Sequence, residues 1–156
     1  MKELPPSKIK ISEKLTLREG LDRFRSRYTD QLSHDLRNTS EKARIFFESH
    51  DIAHVLFGCD ISLFGEGSVK VWTIFGTSLG FWKHIKGYQE ASAFSLSGNF
   101  KLIQILTNLF KLLVFIPVII VRACRMNKRW PWNNYDFYLD IPLSEIRKEF
   151  NIKILK

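Results

Sequence analysis

Apolar residues recur along this chain at helical intervals. Leu17, Leu21, Phe24 and Tyr28 fall four, three and four apart, one stripe of an amphipathic helix placed over Ser12 to Tyr28. A polar break follows from Ser33 to Thr39. A second helix then starts with Thr39 or Ser40 as its N-cap and Glu41 in the first turn, and ends near Gly58. A third helix is predicted over Glu66 to Lys86, with Val71, Phe75, Ser78, Trp82 and Ile85 along it and Gly87 closing it. Its Gly76 and Gly80 lie four apart and would let another helix come close. Residues 91–99 are small and polar, with a turn at Gly98, and lead into the most apolar helix, Asn99 to Lys128. Pro131 stops that helix within Trp130-Pro131-Trp132, and a short helix from Leu143 to Phe150 follows Pro142. The pattern shows no strand alternation and no internal repeat. The expectation is an all-α, single-domain helical bundle with one very apolar helix: a flexible tail over residues 1–14 and one metal- and lipid-binding domain over 15–156.

The apolar helix raises the question of a membrane. Leu112 to Val121 has no polar side chain, but a spanning length of about 20 residues is reached only by accepting Gln104, Thr107, Asn108 and Lys111. An interfacial or groove-forming helix fits better than a span. Charge agrees. The chain has 24 Lys+Arg against 16 Asp+Glu, a net +8. Residues 101–135 hold Lys101, Lys111, Arg122, Arg125, Lys128 and Arg129 and no acid. These cations flank and follow an apolar run instead of lining a polar face with interleaved aromatics. An anionic membrane surface is therefore the expected partner, and nucleic acid is not. The two cysteines, Cys59 and Cys124, suit a reducing compartment, and residues 1–14 carry no secretory signal pattern.

One cluster carries candidate chemistry: Ser49-His50-Asp51-Ile52-Ala53-His54, then Glu66. His50 and His54, at i and i+4, share a helix face at a separation of about 5–6 Å, close enough for one divalent ion. Asp51 can coordinate or hold a neighbouring ligand by hydrogen bond. Glu66, at the start of the next helix, can return over His54 if the two helices run antiparallel. Two imidazoles with one or two carboxylates suit Zn²⁺, Fe²⁺ or Mn²⁺, and zinc is the expected ion. His50 also lies on the apolar stripe with Ala43, Phe46, Ala53 and Phe57, where an unpaired polar group would be costly. The bland alternative is two buried histidines bonded to Asp51 and Glu66 without metal. His34-Asp35 has no His four residues on and reads as surface; His84 lacks acidic neighbours.

Other chemistries lack their residues. There is no Gly-rich phosphate loop followed by Lys-Ser/Thr. His34 and Asp60 lie too near the cluster to complete an HD-type phosphohydrolase. Asp51 stands where H-E-x-x-H proteases carry the longer Glu.

The pattern His50-Asp51-x-x-His54, eleven residues, then Glu66 resembles the signature of the ubiquinone (coenzyme Q) biosynthesis protein 4 family. Val55-Leu56-Phe57-Gly58 and Gly65-Glu66 fit the same pattern. Tyr135 to Ile152, YDFYLDIPLSEIRKEFNI, is similar to that family's closing segment. The resemblance spans roughly residues 40–152, most clearly at its two ends. It implies an all-α metalloprotein whose metal residues are His50, Asp51, His54 and Glu66. It also implies a cytoplasmic place on the inner face of the cytoplasmic membrane, or on the matrix side of the mitochondrial inner membrane in a eukaryote. The implied partners are a prenylated aromatic lipid and other quinone-biosynthesis enzymes, with a homodimer among the assemblies allowed.

The function implied by the resemblance is metal-supported removal of the C1 carboxyl from a polyprenyl-hydroxybenzoate, by a simple or an oxidative route. Residues Leu102 to Val121, with Phe75 and Trp82, would shelter the tail. The rival reading is a non-catalytic lipid-binding scaffold with a structural metal. A third is a generic metal hydrolase acting on soluble substrates.

Overall fold

The capping box Thr16-Leu17-Arg18-Glu19 decides where the first helix begins. Glu19 N donates to Thr16 Oγ1 at 3.2 Å, and Thr16 N donates to Glu19 Oε2 at 2.9 Å. In the computed structural model, which describes residues 11–28, 40–83 and 102–155, α1 therefore runs Leu17–Tyr28. It does not reach back to Ser12, because residues 13–15 are taken up elsewhere. Leu143 N donates to Leu15 O, and Ser144 N donates to Glu13 O. Residues 11–14, expected to belong to a flexible tail, thus include a segment bonded to the far end of the chain. The expected stripe is the buried one: Leu17, Leu21, Phe24 and Tyr28 are all in the core.

The second helix, α2, runs Glu41–Phe57 and has the expected caps. Ser40 Oγ accepts from Ala43 N at 3.1 Å. Gly58, at φ 68°, is in the left-handed region that glycine enters without strain, and its N–H bonds His54 O. Ser62 caps α3, Leu63–Gly76, by accepting from Gly65 N at 3.0 Å. The connection between them, residues 58–62, is too short for anything but an antiparallel return. Gly65 permits it: a side chain there would collide with the Asp60 backbone carbonyl.

The third helix stops at Gly76, ten residues short of the predicted Lys86. Thr77 is extended (φ −119°, ψ 167°) and pairs with Trp130. Trp130 N donates to Gly76 O at 2.8 Å, and Ser78 N donates to Trp130 O at 2.9 Å. A bridge to the distant tryptophan thus draws the chain out of helix. Of the two glycines, Gly76 allows a close approach, since a Cβ there would stand 3.2 Å from Met126 Sδ. Gly80 makes a turn at φ 72° with nothing near it.

The fourth helix, α4, covers Leu102–Cys124 with Pro117 inside it, within the predicted bounds. It runs in the direction of α3. Phe64 meets Phe115 edge-on at 5.4 Å, Leu112 packs at Gly67, and Met126 reaches Gly76. No described helix is long and apolar enough to cross a membrane. A 3-10 turn, Asp136–Tyr138, precedes α5, Leu143–Phe150, whose Leu143, Ile146 and Phe150 are fully buried. Among the described residues the fold is all-α, with only two isolated bridges, Thr16 to Pro142 and Thr77 to Trp130. His34, Asp35, His84, Gly87 and Gly98 lie outside the described residues.

The core gathers around the C-terminal half of α2, where Ile52 to Phe57 are buried on every side. Phe57 stacks on Trp72 at 4.6 Å and an interplanar angle of 7°. Burying a helix end leaves its last carbonyls without water, so each needs a donor from protein. Gly58 N and Cys59 N serve His54 O. Arg147, from α5, serves the next two: Nε donates to Leu56 O at 3.0 Å and Nη2 to Val55 O at 2.9 Å. Its guanidinium also brings positive charge to the negative end of the helix. Replacing Arg147 by Met keeps the bulk but orphans two buried carbonyls. We expect R147M to lose about 3 kcal/mol of stability in urea unfolding, against less than about 0.5 kcal/mol for the exposed Lys148→Met.

Candidate metal centre

Three side chains from two helices converge. His50 and His54, one turn apart on α2, turn the same way, and the α2–α3 return sets Glu66 opposite them. His54 Nε2 lies 3.2 Å from His50 Nε2 and 3.2 Å from Glu66 Oε1, while His50 Nε2 lies 3.5 Å from Glu66 Oε2. One ligand atom from each falls within 4.8 Å of the others, a group that could hold a metal ion. His50 and His54 are 4% and 2% exposed, so water does little to separate them.

The tautomer of His54 is fixed by its surroundings. Its Nδ1 lies 3.1 Å from Cys59 O, and a carbonyl can only accept, so Nδ1 carries the proton. In the neutral ring Nε2 is then a bare lone pair, aimed at another imidazole nitrogen and at a carboxylate. Phe24 of α1 stacks on the same ring at 5.2 Å and holds its plane. A single proton can reconcile only one pair of these three atoms, whereas a cation placed among them reconciles all three. Nitrogen ligands at zinc bond at about 2.0–2.1 Å, so a tetrahedral edge is about 3.3 Å. The observed 3.2 Å between the two Nε2 atoms has that length. The donor set and its spacing therefore fit a divalent ion held by three protein ligands.

Charge around the cluster pulls in opposite directions. Burial drives the His50 pKa down and outweighs the neighbouring Glu66. Burial acts on His54 too, but the Glu66 carboxylate and the Cys59 carbonyl together hold its pKa above the usual imidazole value. Glu66 is pressed upward by burial and downward, more strongly, by the two imidazoles, so it stays ionised. Burial, with Asp60 and Glu66 nearby, pushes the Cys59 thiol well up. Cys59 therefore offers the site its carbonyl, with its sulfur kept as a thiol.

Asp51, the fourth expected metal residue, stands apart from this group of three. Its side chain is 2% exposed, and its Oδ2 accepts from Arg25 Nε at 3.1 Å. Its role here is an ion pair that ties α1 to α2 beside His50. Arg25, Phe24 and Cys59 belong to the site without having been expected there. Phe24 could have been found from its place on the α1 stripe; nothing in the sequence marks the Cys59 carbonyl.

Removing one of three ligands should remove most of the bound ion. We expect His50→Ala, His54→Ala and Glu66→Ala each to fall below about a tenth of wild-type metal content after dialysis, read by elemental analysis with circular dichroism confirming the fold. Asp51→Asn should retain metal at a reduced affinity. Full occupancy in all three ligand variants would refute the site.

Comparison with protein families, curated proteins and solved structures finds no match to this chain.

Proposed function

We propose that this chain is a zinc-binding protein of the ubiquinone biosynthesis protein 4 type, which binds a prenylated hydroxybenzoate and supports loss of its C1 carboxyl. The observation that carries the reading is the convergence of His50, His54 and Glu66, a group of three side chains that could hold a metal ion, with both imidazoles buried. A closed four-ligand shell is the mark of a structural zinc, and a three-ligand shell is the arrangement of catalytic ones. The His-Asp-x-x-His, eleven residues, Glu pattern supports the family assignment, and the sequence likeness of Tyr135 to Ile152 supports it further.

A divalent ion in such a site supplies Lewis acidity toward a carboxylate or phenolate oxygen. The chain's own residues do the rest. Cys59 O and Phe24 orient His54, and Arg25 neutralises Asp51 beside His50. The core around α2 excludes water, which strengthens every charge interaction with a bound acid. In the simple route the bond from ring C1 to the carboxyl carbon breaks, carbon dioxide leaves, and a proton from solvent takes its place at C1. The tail of the substrate meets apolar surface. Phe75 is 39% and Trp82 76% exposed, so these aromatics would cover a tail from outside the core.

The test measures release of ring-carboxyl label from a prenylated 4-hydroxybenzoate by metal-loaded protein. We expect release by wild type and none above background by His54→Ala. The unprenylated acid should react much more slowly, since each buried methylene contributes about 0.8 kcal/mol. Lipid bound stoichiometrically, with no release by either protein, would favour the scaffold reading. Hydrolysis of soluble phosphate or peptide substrates would favour a generic hydrolase.

A further inference from the structure

Two buried polar atoms of α3 stand outside the metal cluster without a hydrogen-bond partner among the described residues: Ser68 Oγ and Trp72 Nε1. Ser68 is 1% exposed and Trp72 fully buried. A buried indole N–H normally finds an acceptor, because an unmade bond there keeps the whole cost of lost hydration. The serine departs from its own kind as well. The other buried Ser and Thr side chains each bond the carbonyl four residues back: Ser49 to Ile45 O at 2.8 Å, Thr73 to Val69 O at 2.8 Å and Thr77 to Thr73 O at 2.6 Å. Ser68 makes no such bond. Ser68 and Trp72 are four apart, so they share one face of α3 on adjacent turns. The indole is held flat against Phe57 at 4.6 Å and 7°. Its Cε3 corner faces Gly76, one turn further on, where a Cβ would stand 3.4 Å from it. Nε1 is on the opposite edge of the ring, so the N–H is turned back toward Ser68. Glu66 lies two residues before Ser68, about 200° around the helix, so this pair occupies a different side of α3 from the metal ligand.

We propose that Ser68 Oγ and Trp72 Nε1 form an internal binding site for one uncharged acceptor oxygen, held inside the core beside α3. The chemistry of the two groups selects that class. An indole N–H only donates, so the site repels a cation. An anion in so dry a place needs a buried positive partner. The one buried guanidinium among the described residues, Arg147, is already committed to the carbonyls of Val55 and Leu56. A neutral oxygen asks only for what is present: Nε1–H donates to it, and the Ser68 hydroxyl rotates to donate as well. An internal water and the carbonyl of a small apolar molecule share this chemistry, and either oxygen satisfies both groups. The site uses no metal ligand, so it stands apart from the metal reading.

The test reads the indole protons of the full chain by proton–nitrogen NMR, with the tryptophans isotope-labelled. The Trp72 signal is the one lost in Trp72→Phe or, should that variant not fold, the one with a nuclear Overhauser contact to the Phe57 ring. We expect the Trp72 indole proton of wild type at a downfield, hydrogen-bonded position and slow to exchange. Ser68→Ala should move it upfield, since an oxygen left with one partner is no longer held, with circular dichroism and metal content unchanged. A cross-peak from the indole proton to long-lived water assigns the oxygen to a water molecule. A carbonyl compound extracted at about one per chain from wild type, and absent from Ser68→Ala, assigns it to a bound molecule. A wild-type indole proton at the position of a free N–H overturns the proposal without recourse to any variant. A folded Ser68→Ala whose indole proton stays in place overturns it too.

Discussion

Everything at the centre of this molecule depends on how the C-terminal end of α2 is kept satisfied without water. The last turn of that helix is buried on all sides, and its carbonyls point where no solvent reaches. Arg147 answers for two of them, from a short helix more than 90 residues further along the chain. Gly58 and Cys59 answer for the carbonyl of His54. With those bonds made, the helix can carry two imidazoles into the core. Without them, the same turn would have to move to water and take His54 with it. The segment around residues 139–144 reinforces the arrangement by bonding residues 13–18, so α5 is held in place from both sides.

That rigidity sharpens the chemistry. The Cys59 carbonyl settles which nitrogen of His54 bears the proton, and Phe24 fixes the plane of the ring. The remaining nitrogen faces Glu66 and His50 at hydrogen-bond distances, within a medium that strengthens both attraction and repulsion. A polar cluster of this kind is stable only when its charges are matched. The three ligand atoms are mutually close because the α2–α3 connection is short and because Gly65 admits the Asp60 carbonyl, both of which are local properties of the turn.

Much of this is legible in the amino-acid order alone. Ser40, Gly58 and the α1 stripe follow from capping and from the period of 3.6, and the i, i+4 histidines with a later Glu follow from ligand spacing. Those signals act over one or two turns of helix. What stays hidden acts between residues far apart. The early end of α3 at Gly76 depends on Trp130, which no local pattern near Thr77 reveals. The late start of α1 is readable from Thr16 and Glu19, and the apolar stripe itself begins only at Leu17. Asp51 illustrates the same limit. Its neighbour in sequence is a histidine of the cluster, yet its charge is matched by Arg25 on another helix, and only the packing of α1 on α2 brings that partner near. The exposure of Phe75 and Trp82 is equally hidden, since helical spacing shows that residues share a face but not what lies across from it.

The long reach of Arg147 has a consequence for the order of events during synthesis. The histidine-bearing helix is made early, but the guanidinium that secures its end emerges only after about 90 further residues have been translated. Contacts so distant in sequence form late, after the local helices. Until then the imidazoles and Glu66 sit on a helix pair whose inner end is still wet and mobile. The side chains that could hold a metal ion are therefore all present in the chain before the residue that shuts water away from the end of their helix.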